Sequence, residues 1–258
     1  MATVVIDHPP VNLFDAAQMR EFAQLARLLE ADDDVRVVVF RSANPDFFIA
    51  HADVAGILDI PADQPPATKL GGFSGMVDRF RTMPKATIAV IEGRVGGGGS
   101  EFTLSCDMRF AAFGRAVFNQ PEVALGILPG GTGTQRLARL AGRSRALEII
   151  LGSDDFDAAT AERYGWVNRA LPPEELWPFV DRLARRIASF PPQAVAESKA
   201  LVNLADGAIV EAILTEQDGF NRLHPLPEVR ARMQRFLAQG GQTPEGEARL
   251  GDLVTEIG

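Results

Sequence analysis

Cysteine, tyrosine and histidine are scarce in this chain. It has one cysteine, one tyrosine and three histidines among 258 residues. A single cysteine, Cys106, excludes an intramolecular disulfide, and a chain of this size without one is typical of a reducing compartment. Cys106 lies among apolar residues. We therefore expect it to be a buried packing residue and not a nucleophile.

Long apolar runs and excess positive charge are also missing. No apolar stretch approaches the ~20 residues that a membrane-spanning helix needs, and the N-terminus lacks a signal-peptide pattern. We expect a cytoplasmic protein with no membrane partner. The chain has 26 Lys and Arg against 34 Asp and Glu, a net charge of -8 and a pI near 5.0. That balance argues against nucleic acid as a partner.

Metal-ligand patterns are absent as well. His8, His51 and His224 are far apart in the sequence, and the acidic run at 32–34 is typical of a solvated turn without further ligands nearby. The sequence predicts no bound metal.

The rest of the composition is ordinary, with 46% hydrophobic and 23% charged residues. The length suits one large domain or one domain with a helical appendage. Strand-like runs at 35–40 and 86–91 have almost no polar residues, which favours a parallel sheet covered on both faces. Asp15 is predicted to cap a helix running to about Glu30. From Pro173 onward the pattern is helical, so the fold class is α/β with a helical C-terminal region. The glycine-rich, polar tail after Gln239 is predicted to be loose or to depend on a partner for its order.

One stretch organises the rest: the strand at 86–91 is followed by Gly96-Gly97-Gly98-Gly99-Ser100-Glu101, which we expect to open a helix. Glycines at such a junction let the backbone approach a ligand closely. The free N–H groups of the helix start attract negative charge. Glu101 is predicted to fall in the first turn, so a donor array and a carboxylate lie within one turn of each other.

Three other interpretations of these glycines differ in how well they fit the sequence. A flexible loop or a tight packing contact is common for such a run. A phosphate-binding P-loop fails because no Lys-Ser or Lys-Thr follows. A dinucleotide fingerprint is weak because Glu101 occupies the helix start where a pyrophosphate would sit.

Taken with three other segments, the glycine junction closely resembles the crotonase superfamily, also called the enoyl-CoA hydratase/isomerase family. The resemblance runs from about Val4 through the C-terminal helices. Its most specific motifs are Phe48-Ile49-Ala50-His51-Ala52-Asp53, Gly97-Gly98-Gly99-Ser100-Glu101, Gln120-Pro121-Glu122, and Leu128-Pro129-Gly130-Gly131-Thr132-Gly133-Thr134-Gln135-Arg136-Leu137.

The resemblance implies a crotonase-like spiral of ββα repeats over residues 1–190. Residues 191–258 would form a helical region that covers the pocket and supports oligomerisation. The expected assembly is a homo-oligomer, either a trimer or a dimer of trimers. The substrate would be an acyl-CoA thioester, with no cofactor beyond the coenzyme A of the substrate itself.

The resemblance also assigns roles to residues. The N–H groups of Ala52 and Gly98 would form an oxyanion hole for the thioester oxygen. Glu101 would activate the water that attacks C3, and Glu122 would deliver a proton to C2 of a trans-2-enoyl-CoA. The residues that it places along the CoA and acyl groove are Ala50, His51, Asp53, Val54 and Gly97.

Two alternatives remain open at this point. The chain could be an enoyl-CoA isomerase or another CoA-ester enzyme of the family, or a non-catalytic acyl-CoA-binding protein. His51 stands where relatives commonly have glycine, which would ease an unusual backbone angle. Its side chain is expected either to point away or to reach the acyl pocket. The basic residues that would meet the CoA phosphates, Arg20 and Lys69 among them, are not distinguished.

Overall fold

The computed structural model describes residues 1–257. The strands of this part of the chain are β1 (Ala2–Ile6), β2 (Val37–Ser42), β3 (Phe47–Ile49), β4 (Ala86–Ile91), β5 (Arg94–Gly96), β6 (Met108–Ala112), β7 (Val117–Asn119), β8 (Phe156–Asp157) and β9 (Arg169–Leu171). Its helices are α1 (Ala16–Ala31), α2 (Val54–Leu58), α3 (Gly72–Thr82), α4 (Gly97–Ser105), α5 (Gly133–Ala141), α6 (Arg143–Gly152), α7 (Ala158–Tyr164), α8 (Pro173–Ala188), α9 (Pro192–Leu204), α10 (Ile209–Leu223), α11 (Pro227–Ala238), α12 (Pro244–Ala248) and α13 (Leu250–Glu256).

The larger sheet has five parallel strands in the order β1-β2-β4-β6-β9. Successive residues of a strand point to opposite faces, and in β2 the two faces bury different partners. Val38 and Phe40 join the aromatic core. Val37 and Val39 pack against Leu176 and other residues of α8. The sheet is thus covered on both sides, which explains the near-continuous apolar runs of its central strands.

The smaller sheet positions the site. Its order is β3-β5-β7-β8, with β3, β5 and β7 parallel and β8 antiparallel at the edge. Parallel strands end at the same edge of a sheet, where α/β proteins commonly bind ligands. The segments after these three parallel strands are 50–53, the glycine-opened helix α4, and Gln120-Pro121-Glu122. The topology therefore brings together three of the four segments that resemble the family.

Helix α4 begins at Gly97, whose φ is +43°. A Cβ at Gly97 would lie 2.8 Å from Glu122 Oε1, so glycine is needed for close approach as well as for the left-handed angle. Because α4 begins at Gly97, Glu101 lies just beyond the first turn of the helix, which has no acidic residue. The prediction of a first-turn carboxylate was therefore wrong by a residue, although Glu101 still lies one turn from Gly97 on the same face.

The C-terminal tail is ordered, contrary to the prediction of a loose segment. It forms α12 and α13, and Leu250, Leu253 and Val254 are buried with Met233 of α11. The prediction failed because it weighed the glycines after Gln239 and overlooked the apolar spacing beyond them. The capping of α1 by Asp15 is confirmed: its carboxylate accepts from the amides of residues 17 and 18, both at 2.8 Å.

Candidate active site

Ala52 and Gly98 lie in contact where β3 and β5 end. A Cβ built on Gly98 would be 3.4 Å from the Ala52 nitrogen and 3.5 Å from Cζ of Phe73. Gly98 is the second residue of α4, so its N–H has no acceptor within the helix. Among residues 1–257, no backbone carbonyl outside the helices and strands accepts from the Ala52 N–H. The next amide along the chain, that of Asp53, donates to the Phe14 carbonyl oxygen at 3.0 Å. Two unpaired main-chain donors thus meet beside an aromatic ring.

Glu101 is buried and held by one of its two carboxylate oxygens. Oε1 accepts from the amides of Gly131 and Gly133, both at 2.8 Å. A Cβ at Gly131 would come within 2.5 Å of Glu101 Oε2, so only glycine lets this loop close on the carboxylate. Within the described chain, Oε2 forms no hydrogen bond with protein. That oxygen is left free for water or substrate.

Glu122 is arranged in the same way. Its Oε2 accepts from Gln120 Nε2 at 3.2 Å, and its Oε1 lies over the position of Gly97. Because Gly97 and Glu101 are four residues apart on α4, the two carboxyls lie on the same side of that helix. The structure thus brings together the two glutamates that were expected to act as a pair.

A third buried carboxylate, Glu216 of α10, completes what we call the acid cluster: Glu101, Glu122 and Glu216. Glu216 accepts from the amides of Thr132 at 2.6 Å and Thr134 at 2.9 Å, and from the Thr134 hydroxyl. No sequence motif pointed to it. The available signal was a glutamate on the buried face of α10, three residues after Ile213, where an apolar residue belongs.

The acid cluster has no positive partner. Among residues 1–257, none of its three carboxylates has a Lys, Arg or His nitrogen within 4.0 Å. Burial raises the pKa of Glu122 and of Glu216 to about 7. Burial, followed by the charges of Glu122 and Glu216, raises the pKa of Glu101 well above its ordinary value. At neutral pH these groups can therefore hold and exchange protons.

His51 points away from the acid cluster towards the C-terminal tail. Its Nε2 lies 2.9 Å from Glu247 Oε1 and its Nδ1 lies 2.7 Å from the Ala52 carbonyl oxygen. Burial alone would lower the pKa of His51, but the Glu247 carboxylate outweighs it and the pKa is raised. His51 does not have a positive φ, so the expected benefit of glycine at this backbone angle is wrong. The imidazole is instead fixed by a partner 196 residues away.

A second ion pair joins the same tail to the core. Arg94 donates to both carboxylate oxygens of Asp155, at 2.6 and 2.7 Å, and to the Ala248 carbonyl at 3.1 Å. We call the His51–Glu247 and Arg94–Asp155 pairs the C-terminal ion pairs. In contrast to the acid cluster, each of their carboxylates has a basic partner.

The C-terminal tail also contacts two of the remaining residues that were expected to line the CoA and acyl groove. Asp53 caps α2 by accepting from Ala55 N at 3.1 Å. Gln242 Oε1 accepts from Val54 N at 2.9 Å, and its Nε2 donates to Asp53 at 2.8 Å. The side chains of Ala50 and Val54 are buried against protein. Contact of this segment with a ligand would thus be largely through its backbone.

A surface cavity of about 800 Å³ lies between α9 and the ends of β4 and β6, away from the acid cluster. Two of its charged side chains, Lys199 and Asp107, pair with each other at 2.9 Å. Cys106 also lines it, and burial raises the pKa of this thiol to about 12. Cys106 is buried and packs in the hydrophobic core, which confirms the prediction of a packing residue.

The described residues contain no helix that combines the length and the apolar character needed to cross a bilayer.

The parallel sheets and the buried carboxylates beside unpaired amides define a crotonase-like α/β protein. A model of the enoyl-CoA hydratase/isomerase family matches residues 1–242. The chain therefore belongs to the enoyl-CoA hydratase/isomerase family.

Individual relatives agree with this assignment. The chain is 34% identical to the crotonyl-CoA hydratase of Syntrophomonas wolfei over 240 residues, 92% of this chain and 91% of that protein. It is 32% identical to the short-chain-enoyl-CoA hydratase of Clostridium acetobutylicum, again over 92% of this chain and 91% of that protein. A crystal structure of a candidate enoyl-CoA hydratase from Streptomyces avermitilis superposes with a TM-score of 0.89 at 39% identity, covering 99% of this chain and 94% of that one.

Proposed function

We propose that this protein is an enoyl-CoA hydratase, which adds water across the C2=C3 bond of a trans-2-enoyl-CoA. The observation that carries the proposal is the pair of buried glutamates, each with one oxygen held by protein and one free, beside two unpaired main-chain amides. The names of the relatives, crotonyl-CoA hydratase and short-chain-enoyl-CoA hydratase, support the same reaction class and a short acyl chain.

In this proposal the N–H groups of Ala52 and Gly98 bind the thioester oxygen. Attack at C3 moves electrons onto that oxygen and gives an enolate. Fixed donors stabilise such a charge by roughly 2.7–4 kcal/mol per donor in comparable oxyanion holes. The positive end of α4 adds to this effect because the helix begins at Gly97.

The two glutamates divide the proton transfers. Glu101 accepts a proton from water through its free Oε2 as the water oxygen bonds to C3. Glu122 gives a proton to C2 as the enolate collapses back to the thioester. A carboxyl with a pKa of about 7 is suited to donate a proton at neutral pH. Each transfer typically contributes ~10²–10⁴-fold to the rate. The scheme uses no metal and no cofactor beyond the coenzyme A of the substrate.

The homo-oligomer is part of the same proposal, as a trimer or a dimer of trimers. Helix α9 contributes no buried side chain, and Leu201, Val202 and Leu204 are 64%, 72% and 72% exposed. Apolar residues clustered at the surface in this way are typical of contact sites between proteins.

The test is an ultraviolet assay of the purified protein with crotonyl-CoA. Loss of the absorbance of the conjugated thioester with formation of the 3-hydroxyacyl product would support the proposal. Glu101→Gln and Glu122→Gln should each lower kcat by at least ~10²-fold, while Glu162→Gln, at an exposed position on α7, should leave it unchanged. A product that only has a moved double bond would replace the proposal with an isomerase. Binding of CoA esters without turnover would replace it with a binding protein.

A further inference from the structure

The loop that holds Glu101 is itself held by a second carboxylate. Four successive amides, from residues 131 to 134, donate alternately to two glutamates. Gly131 and Gly133 donate to Glu101, at 2.8 Å each. Thr132 and Thr134 donate to Glu216, at 2.6 and 2.9 Å. The loop is therefore held by hydrogen bonds to both glutamates, and the position of the Glu101 carboxylate depends on that of Glu216.

The backbone of this loop is strained. Thr132 has a φ of +102°, a strained conformation that a β-branched residue rarely adopts. Its amide donates to Glu216, and its hydroxyl accepts from Arg136 Nε at 2.8 Å. These contacts keep Thr132 in a conformation that it would otherwise leave. The same conformation turns the amides on either side of it towards Glu101.

Glu216 differs from the two glutamates of the proposed reaction. Both of its oxygens are engaged by protein, Oε1 by Thr132 and Oε2 by Thr134. Glu101 and Glu122 each keep one oxygen outside these contacts. Glu216 thus has the contacts of a group that orients its neighbours and does not itself meet the substrate.

Its charge also acts on the reacting groups. The titratable groups that face Glu216 are Glu101 from α4 and Glu122 from the turn after β7. Arg136 of α5 reaches Thr132 and Asp78 but no oxygen of Glu216. A negative Glu216 therefore favours the protonated forms of both neighbours.

We propose that Glu216 is a positioning residue for Glu101. It holds loop 131–134 in the strained conformation that directs two amides onto Glu101 Oε1, and it thereby aims the free Oε2 at the attacking water. The role rests on the proposed hydratase function, in which Glu101 activates that water.

Two variants separate the geometry of Glu216 from its charge. Glu216→Asp keeps the charge but shortens the reach to the loop, so kcat should fall about 10- to 100-fold. The acid limb of its kcat profile should move to higher pH, because Glu101 loses amide donors that lower its pKa. Glu216→Gln keeps the length but removes the charge, so kcat should also fall. In that variant the loss of the negative charge opposes the loss of the amide donors, so the acid limb of the kcat profile should lie at lower pH than in Glu216→Asp, on the order of one pH unit. In both variants KM for crotonyl-CoA should change by less than about 3-fold, since the lost effect is on orientation and not on binding.

A double-mutant cycle tests the strained backbone. Thr132→Gly allows the positive φ without cost, so the loop depends less on Glu216 to stay in place. Glu216→Gln should then lower kcat at least about 3-fold less in the Thr132→Gly background than in the wild type, each measured at its own pH optimum. Equal losses in the two backgrounds would overturn the proposal. An unchanged kcat with an unchanged pH profile in Glu216→Gln would overturn it as well.

The coupling is also measurable without turnover. Glutamate side chains labelled with ¹³C report their titration by NMR, and the resonance lost in Glu101→Gln identifies Glu101. In Glu216→Asp, which keeps the charge but releases the loop, the pKa of Glu101 should rise relative to the wild type. If the wild type does not hydrate crotonyl-CoA but this shift is observed, the hydratase function fails while the coupling stands. If the wild type is active and the shift is absent, Glu216 does not hold the loop amides on Glu101 and the proposal fails.

Discussion

The acid cluster and the C-terminal ion pairs meet at Gly97, where a Cβ would lie 2.8 Å from Glu122 Oε1 and 3.0 Å from His51 Cβ, yet their buried carboxylates are paired in opposite ways. Glu101, Glu122 and Glu216 have no basic partner, and burial raises the pKa of each. Glu247 is fully buried too, but its contact with His51 outweighs burial and its pKa is lowered. An unpaired buried acid is ready to exchange a proton, whereas a paired one stays charged. The comparison separates the side proposed to perform the chemistry from a side that stabilises the fold.

The largest expected effect is on the chemical side. Gly98→Ala would place a Cβ 3.3 Å from Ala52 Cβ and 3.4 Å from Ala52 N, in the space that the two amides share. Gly98 does not have a positive φ, so alanine is compatible with the backbone. We expect kcat/KM for crotonyl-CoA to fall about 10²–10³-fold with little change in thermal stability. Steady-state kinetics and thermal unfolding test both expectations.

Gly71→Ala is the matched control, because a Cβ there meets nothing within 4 Å and the φ of Gly71 is extended. If Gly98→Ala lost stability and kept its activity, the two amides would not form the oxyanion hole. The division between the two sides would then need to be drawn elsewhere.

The sequence predicted part of the acid cluster but not the partners on which the rest of this contrast depends. The motifs that follow β3, β5 and β7 predicted the meeting of Ala52, Gly98, Glu101 and Glu122, because parallel strands deliver their ends to one edge. Glu216 and Glu247 were not found. Each contacts its partner across a long stretch of chain, 84 residues from Thr132 to Glu216 and 196 from His51 to Glu247. Neither local periodicity nor a short motif encodes such a pairing.

On the stabilising side, Glu247→Gln should reduce stability and not primarily chemistry. The variant removes the charge that faces buried His51, and it alters an oxygen that accepts from Gln242 N at 2.7 Å. We expect a loss of about 2–4 kcal/mol in the free energy of unfolding, measured by denaturant titration. Glu245→Gln, on the exposed face of the same short helix, should change it by less than about 0.5 kcal/mol. Equal losses in the two variants would show that the buried pair contributes nothing specific.

The acid cluster should make stability fall as the pH rises. Glu122 and Glu216 have pKa values of about 7 in the folded protein against an ordinary value of 4.5. Between these values the folded state binds more protons than the unfolded state, so the free energy of unfolding decreases with increasing pH. We expect a decrease on the order of 1–3 kcal/mol from pH 5 to pH 8, with a shallower slope in Glu122→Gln.

The His51–Glu247 pair gives the opposite dependence at the acid end. The raised pKa of His51 adds stability that is lost as the pH rises through that value. The lowered pKa of Glu247 adds stability that is lost as the pH falls through its own value. The pair should therefore stabilise most between the two ordinary values, 4.5 and 6.5. Glu247→Gln should flatten the acid side of the stability profile, and a profile that keeps its wild-type shape would contradict the assignment.

The smallest expected effect concerns the geometry of the second ion pair. Arg94 reaches both oxygens of Asp155 and the Ala248 carbonyl from a position that is 7% exposed. Lysine keeps the charge but cannot form the paired contacts of a guanidinium, so Arg94→Lys should cost about 1–2 kcal/mol in the free energy of unfolding. Arg249→Lys is the matched change in an exposed pair with Glu256, where about 0–0.5 kcal/mol is expected. The difference between these two variants measures what burial and bidentate geometry add. If it were zero, the tail would be held to the core by the apolar contacts of α13 and not by its ion pairs.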